Sequence, residues 1–216
     1  MSAIRQFLDR GRGLDPRWLL HAARGHPPSS GPEDWDDYYR GVDPYGYETS
    51  PYERRRYGLM LAALGERRFS SGLELGCSVG VFTEMLAPRC DRLVALDISA
   101  AAVTRARERL AGHPQVRVER ATLPEEFSEG SFDLVVCADV AEYWDRPTWR
   151  TLLGRIEASL LPGGSLLGSF WRPFTPTHRM SGDGAARLVR RATGLKRVRS
   201  LVESKHRIER FDKGSG

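Results

Sequence analysis

Several short stretches of the 216-residue chain place acids, glycines and a histidine where they could do chemistry. The first is Leu73-Glu74-Leu75-Gly76-Cys77-Ser78-Val79-Gly80, an apolar strand entering a glycine-bounded turn and then a helical run over residues 81–87. Glycine lacks a Cβ, so the backbone at Gly76 and Gly80 can take dihedrals closed to other residues and let a ligand come close. The following helix start offers unpaired N–H groups and a positive dipole end, which suits a carboxylate or phosphate. The second stretch is the strand over residues 92–97, which ends in Asp97. A carboxylate at that place can accept both hydroxyls of a ribose. Together the two marks lead us to expect a nucleoside-bearing cofactor.

The spacing narrows the choice. A dinucleotide turn reads G-x-G-x-x-G, with a middle glycine that lets the backbone reach a pyrophosphate. Here Ser78 holds the middle place and Glu74 stands two residues before Gly76. This E-x-G-x-S-x-G form resembles the first motif of class I S-adenosylmethionine (SAM) methyltransferases, and it disfavours an NAD(P) oxidoreductase. The resemblance implies SAM as cofactor, with Glu74, Gly76, Cys77, Ser78, Gly80, Phe82, Asp97, Ile98, Thr122, Leu123, Asp139 and Val140 as its contacts. In that family the turn faces the methionine moiety and the acid orders the loop. The polar residue usual near the adenine falls on Thr122, where the family often carries an acid, and backbone groups of Leu123 can read the base edge.

Further along, residues 132–137 form a nearly continuous apolar run of the kind buried in a parallel sheet, leading into Asp139-Val140-Ala141-Glu142. In a doubly wound sheet the tip of this strand lies beside the glycine turn, so Asp139 and Glu142 face both cofactor and acceptor. They are candidate acceptor contacts or proton acceptors; plain helix-start acids are the alternative. His178 lies in a proline-bearing insertion at the open edge of the cleft, where an imidazole could take a proton from a nucleophile or merely bond to backbone.

These groups need a scaffold, and the pattern supplies one. Strands are expected at 73–75, 92–97, 116–120, 132–137, 165–170, 196–202 and 207–211, alternating with helices at 81–87, 100–110, 147–161 and 185–193. The fold class is α/β: a doubly wound, Rossmann-like seven-stranded sheet, mostly parallel with a C-terminal antiparallel strand, and helices on both faces. Ser50-Pro51-Tyr52-Glu53 reads as a capping box with proline at the first helical position. Residues 1–48 read as an N-terminal helical and loop cover segment, with helical spacing over 4–23, a linker at 26–32 and a tyrosine-rich stretch at 34–48. Residues 49–216 read as the SAM-binding methyltransferase domain.

Composition sets outer bounds. Hydrophobic residues at 40% and charged ones at 28% describe a globular protein with a core of its own. No signal-peptide pattern or bilayer-length apolar run is present, and three cysteines, Cys77, Cys90 and Cys137, form no C-x-x-C pair. A cytoplasmic location, no disulfides, no metal and no membrane partner are expected. The net charge of +5 allows an anionic partner. The densest basic run, from Arg187 to Arg199, reads as a solvated face, and it lacks the aromatic interleaving of a nucleic-acid surface.

The residues around the turn, together with Asp43-Pro44-Tyr45, Ser50-Pro51-Tyr52-Glu53, Leu86-Ala87-Pro88, the run from Phe132 to Val140 and His178 before Gly182, resemble the nodulation-protein NodS family. Its members are SAM-dependent N-methyltransferases of a chitooligosaccharide amine. The chain departs from that relative at Thr122 and at Ala141-Glu142, where the relative carries an apolar residue and a tyrosine. The resemblance implies methyl transfer to an amino or hydroxyl group of a sugar-bearing or other small acceptor, with His178, Asp139 and Glu142 as candidate catalytic residues. A nucleic-acid methyltransferase and a non-catalytic SAM-binding protein are the alternatives.

Overall fold

In a computed structural model, residues 32–39, 46–175 and 178–215 are described. The expected helices over 4–23, the linker at 26–31 and Asp43-Pro44-Tyr45 lie outside the described residues. Seven strands form one sheet in the order β3-β2-β1-β4-β5-β7-β6: β1 (Gly72–Leu75), β2 (Leu93–Asp97), β3 (Val116–Arg120), β4 (Phe132–Ala138), β5 (Leu160–Trp171), β6 (Lys196–Val202) and β7 (His206–Asp212). β1 pairs in parallel with β2 on one side and β4 on the other. The strand order therefore reverses at the tip of β1, which is where ligands bind in open α/β sheets. Among the described strands β7 is the one reversed in direction, antiparallel to both β5 and β6.

Among the described residues six α-helices flank the sheet: α1 (Pro32–Tyr39), α2 (Pro51–Leu64), α3 (Val81–Leu86), α4 (Ala100–Arg109), α5 (Arg146–Ser159) and α6 (Gly182–Ala192). Alternate strand residues feed opposite layers. Leu73, Leu75 and Val135 join Trp149, Leu152, Ile156 and Val189 of α5 and α6, while Leu134 and Val136 join Met60, Leu64, Phe82 and Leu86 of α2 and α3. Such two-sided burial explains why β1 and β4 are apolar along most of their length. Among the described residues no helix is long and apolar enough to cross a membrane.

Three local differences from the sequence reading have physical causes. The start of the tyrosine-rich stretch, for which the pattern specifies no helix, is the helix α1, which is docked on α4 by Asp36. Only half of the capping box forms. Ser50 Oγ accepts from Glu53 N–H (3.4 Å), but the Glu53 carboxylate turns to Arg56 (2.7 Å) instead of reaching back. β5 begins at Leu160, directly after α5, so Pro162-Gly163-Gly164 lies within the strand. The pairing with β4 slips between Phe132 and Leu134 there, and Gly163 takes a positive φ of 72°.

Candidate active site

The glycine turn is built by backbone. Gly76 and Cys77 N–H both donate to the Leu96 carbonyl (2.8 and 2.9 Å), which holds the end of β1 against β2. Gly76, Ser78 and Gly80 all have positive φ, at 74°, 52° and 80°. A Cβ on Gly76 would lie 2.6 Å from Val140 Cγ1, so this place excludes a side chain on space as well as on dihedral. Asp97 ties the turn to the next strand: its Oδ2 accepts from Ser78 N–H (2.8 Å) and its Oδ1 from Ser99 N–H (3.0 Å). Burial pushes the Asp97 carboxyl up to about 6.

A cavity of about 350 Å³ opens over this turn, within the usual size of small-molecule sites. Gly76, Ser78 and Asp97 line it, as do Ile98, Ala121 and Leu123 from the tips of β2 and β3, and Asp139 and Val140 beyond β4. Trp35, Tyr39 and Tyr47 line it from the N-terminal side, and Tyr143, Asp145 and Arg179 complete it. α1 is held there by Asp36, whose Oδ1 accepts from Ser99 Oγ (2.7 Å) and Ala101 N–H (3.1 Å) at the start of α4. Trp35 then meets Tyr143 edge-on at 5.1 Å.

The other expected cofactor contacts sit around the cavity without lining it. Glu74 is buried beneath the turn; burial pushes its carboxyl up to about 7, with the Thr83 hydroxyl working against the rise. Cys77 packs with Val103 and Ala106, and Phe82 packs with Tyr57 in the α2 layer, because both side chains point into apolar interior. Thr122 spends its N–H on the Glu126 carboxylate (2.6 Å).

The three candidate catalytic side chains part company. Asp139 lines the cavity in a left-handed conformation, φ 53°. Its Oδ2 meets Arg56 Nη1 and His206 Nε2, both at 3.0 Å, and its Oδ1 accepts from Ser169 Oγ (3.3 Å). Burial opposes the charge, but Arg56 and His206 outweigh it and hold the carboxyl well below the usual range. Glu142 is placed away from the cavity, 0% exposed. Its Oε1 accepts from Trp171 N–H (2.6 Å), and its carbonyl accepts from Arg179 and Met180 N–H (2.9 and 3.2 Å). It ties the loop after β5 to the tip of β4. Burial, then the charge of Asp139, pushes the carboxyl well above the usual carboxylate range. His178 stands behind Tyr143, ring to ring at 4.9 Å, and burial pushes it down to about 4, so it is neutral at pH 7.

The sequence model of the family described as Nodulation protein S (NodS) matches residues 38–167. The chain belongs to the NodS family. It is 35% identical over 127 residues to nodulation protein S of Rhizobium tropici, covering 58% of this chain and 53% of that one. It is 36% identical over 102 residues to nodulation protein S of Bradyrhizobium diazoefficiens, covering 47% and 49%. The chain thus spans about half the length of the curated relatives it matches. The crystal structure of the N-methyltransferase NodS from Bradyrhizobium japonicum WM9 in complex with S-adenosyl-L-homocysteine superposes with a TM-score of 0.77 at 26% identity, over 84% of this chain and 97% of that one. The NodS match covers β1 to β4 and the first part of β5, and with them the turn, Asp97 and Asp139.

The NodS-family site of this chain also holds residues that sequence reading missed. Arg56, buried on α2, pairs with both Glu53 and Asp139, and His206, at the first position of β7, bridges Asp139 and the Tyr52 hydroxyl. The capping pattern drew attention to Tyr52 and Glu53, but for the helix they start. Trp35, Tyr39 and Tyr47 were signalled by their density beside acids.

Proposed function

We propose that this chain is a SAM-dependent methyltransferase that modifies an amino group on a small, sugar-bearing acceptor. The observation that carries this reading is the cavity over the Gly76–Gly80 turn, with Asp97 in its wall. The space fits a nucleoside: a carboxylate for ribose hydroxyls, apolar Ile98, Ala121 and Leu123 for the faces of a base, and a Gly76 whose lack of a Cβ lets the turn pack on Val140 in the cavity wall. When bound, SAM supplies a methyl group on a positively charged sulfur. The chain's own residues bind and orient. Gly76 and Ser78 let the backbone approach the cofactor, and Asp97 holds its sugar. The aromatic side chains from α1 and Tyr143 shield the cavity from water and offer flat apolar faces to a sugar ring. Residues 1–48 would thus act as a cover on the domain at 49–216.

Methyl transfer needs mainly alignment of the reacting atoms. An amine attacks as its free base and needs little help, whereas a hydroxyl needs a base near neutrality. Asp139 is held ionised and is therefore weakly basic, and His178 is shielded by Tyr143. This arrangement suits an amine better than a hydroxyl. The kinship with NodS points the same way. The test is a tritiated-methyl screen of amino sugars, deacetylated chitooligosaccharides, their N-acetylated and hydroxyl-only counterparts, and oligonucleotides. Label on the free-amine sugars is expected. Label on hydroxyl-only sugars or oligonucleotides alone overturns the acceptor assignment, and failure of the chain to bind SAM overturns the reading as a whole.

A further inference from the structure

A chain of side chains drawn from four separate segments ends on Asp139. A left-handed backbone at a non-glycine residue costs on the order of 1–3 kcal/mol and persists where its surroundings over-determine it. At Asp139 they do. The backbone N–H donates to Ser169 O (2.8 Å), and the carboxylate is gripped by Arg56, His206 and Ser169. An ionised carboxylate only accepts, so His206 presents Nε2–H to Asp139 and leaves Nδ1 facing the Tyr52 hydroxyl. Burial raises the Tyr52 phenol above its ordinary value, so the hydroxyl keeps its proton and donates to Nδ1. Trp171 closes over the imidazole edge-on at 4.9 Å, and His206 is 2% exposed. Well-packed apolar residues would fold as well or better here, since buried charges are costly to desolvate. The polar chain has one end in the cavity, and that end is Asp139.

We propose that Tyr52 and His206 are positioning residues for the methyl acceptor: through the hydrogen-bond chain Tyr52–His206–Asp139 they keep the Asp139 carboxylate turned into the cavity, where it accepts a hydrogen bond from the acceptor's N–H. This rests on the methyl-transfer reading. The hydrogen bond points the nitrogen lone pair in one direction, and small misplacements of a nucleophile are expensive in rate. Arg56 balances charge, while the imidazole fixes which way the carboxylate plane faces. Tyr52 fixes the imidazole by selecting its tautomer.

The experiment uses the whole chain with tritiated SAM and a deacetylated chitotetraose as amine probe. His206→Ala is expected to lower kcat by about 10- to 100-fold, as misorientation of reacting groups does, with affinity for S-adenosylhomocysteine unchanged. His206→Gln should recover most of the loss, because its side-chain amide can put an N–H where Nε2 stood. Tyr52→Phe should show a smaller fall in kcat. An unchanged kcat in His206→Ala, a His206→Gln no better than Ala, or a parallel loss of S-adenosylhomocysteine affinity overturns the proposal. If the wild-type chain does not methylate the probe, the acceptor assignment fails and nitrogen-15 NMR of labelled histidine decides the positioning role. The expected spectrum shows His206 as a single Nε2–H tautomer that Tyr52→Phe converts to a mixture. An Nδ1–H ring, or one indifferent to Tyr52→Phe, overturns it.

Discussion

The two ends of the cavity are made by different means. The end at β1 and β2 is a backbone object: three positive-φ residues within five positions, two N–H groups on the Leu96 carbonyl, and Asp97 bonded to Ser78 and Ser99 N–H. The end at β4 is a side-chain object, in which Asp139 is held by Arg56 of α2, Ser169 of β5 and His206 of β7. A backbone object tolerates change in most side chains but none where a Cβ has no room. A side-chain object depends on charge balance among residues far apart in the chain. The first suits a part common to every reaction of the fold, and the second a part that adapts to the acceptor.

The sharpest way to break the comparison is at Gly76. Gly76→Ala puts a Cβ against Val140 at a dihedral that costs about 1–3 kcal/mol in itself, and should abolish binding of S-adenosylhomocysteine in calorimetry. Retained binding would show that the turn is not the cofactor's seat. At the other end, Arg56→Met leaves the buried Glu53 carboxylate without its cation and Asp139 with only His206 and Ser169. It should cost about 3–5 kcal/mol in denaturant unfolding. A loss under 1 kcal/mol, the scale of an exposed ion pair, would remove Arg56 from the network's centre.

Smaller effects sharpen the boundary between the two ends. Asp36→Ala removes the side chain that docks α1 on the start of α4 and should cost about 1 kcal/mol of stability, the scale of a helix cap. The same change should loosen the aromatic cover and raise KM for the acceptor more than for SAM. Glu142→Gln should be the mildest, under about 1 kcal/mol, because burial disfavours the charged form and an amide of the same shape keeps an oxygen to accept from Trp171 N–H. A large loss of turnover with the fold intact would return Glu142 to the catalytic list.

The contrast also explains what was legible in the sequence. The Glu74-to-Gly80 stretch and Asp97 carry local signals, because glycine placement and strand ends are written in neighbouring residues. Most strands followed from apolar runs, and β3 and β6 have the expected bounds. His206 gave no such signal: it lies 67 residues from Asp139, and only the antiparallel return of β7 beside β5 brings them together. Arg56 reads in sequence as one of three arginines on a helix, and only packing buries it. Glu142 has the same origin in reverse. Its type and place beside β4 suggested chemistry, whereas Trp171 N–H takes up one of its carboxyl oxygens and Arg179 and Met180 N–H take up its backbone carbonyl.

The central claim is that Asp97 holds the sugar of a nucleoside cofactor over the turn, and calorimetry with S-adenosylhomocysteine across pH tests it most directly. Burial sets the Asp97 carboxyl at about 6, and only the ionised form can accept from ribose hydroxyls at both oxygens in addition to the Ser78 and Ser99 N–H groups. Affinity should therefore be flat at alkaline pH and weaken as the pH falls through about 6 and the carboxyl takes up its proton. Asp97→Asn should bind weakly at every pH, without that fall. Binding by Asp97→Asn at wild-type strength, or wild-type affinity indifferent to acid, would contradict the account.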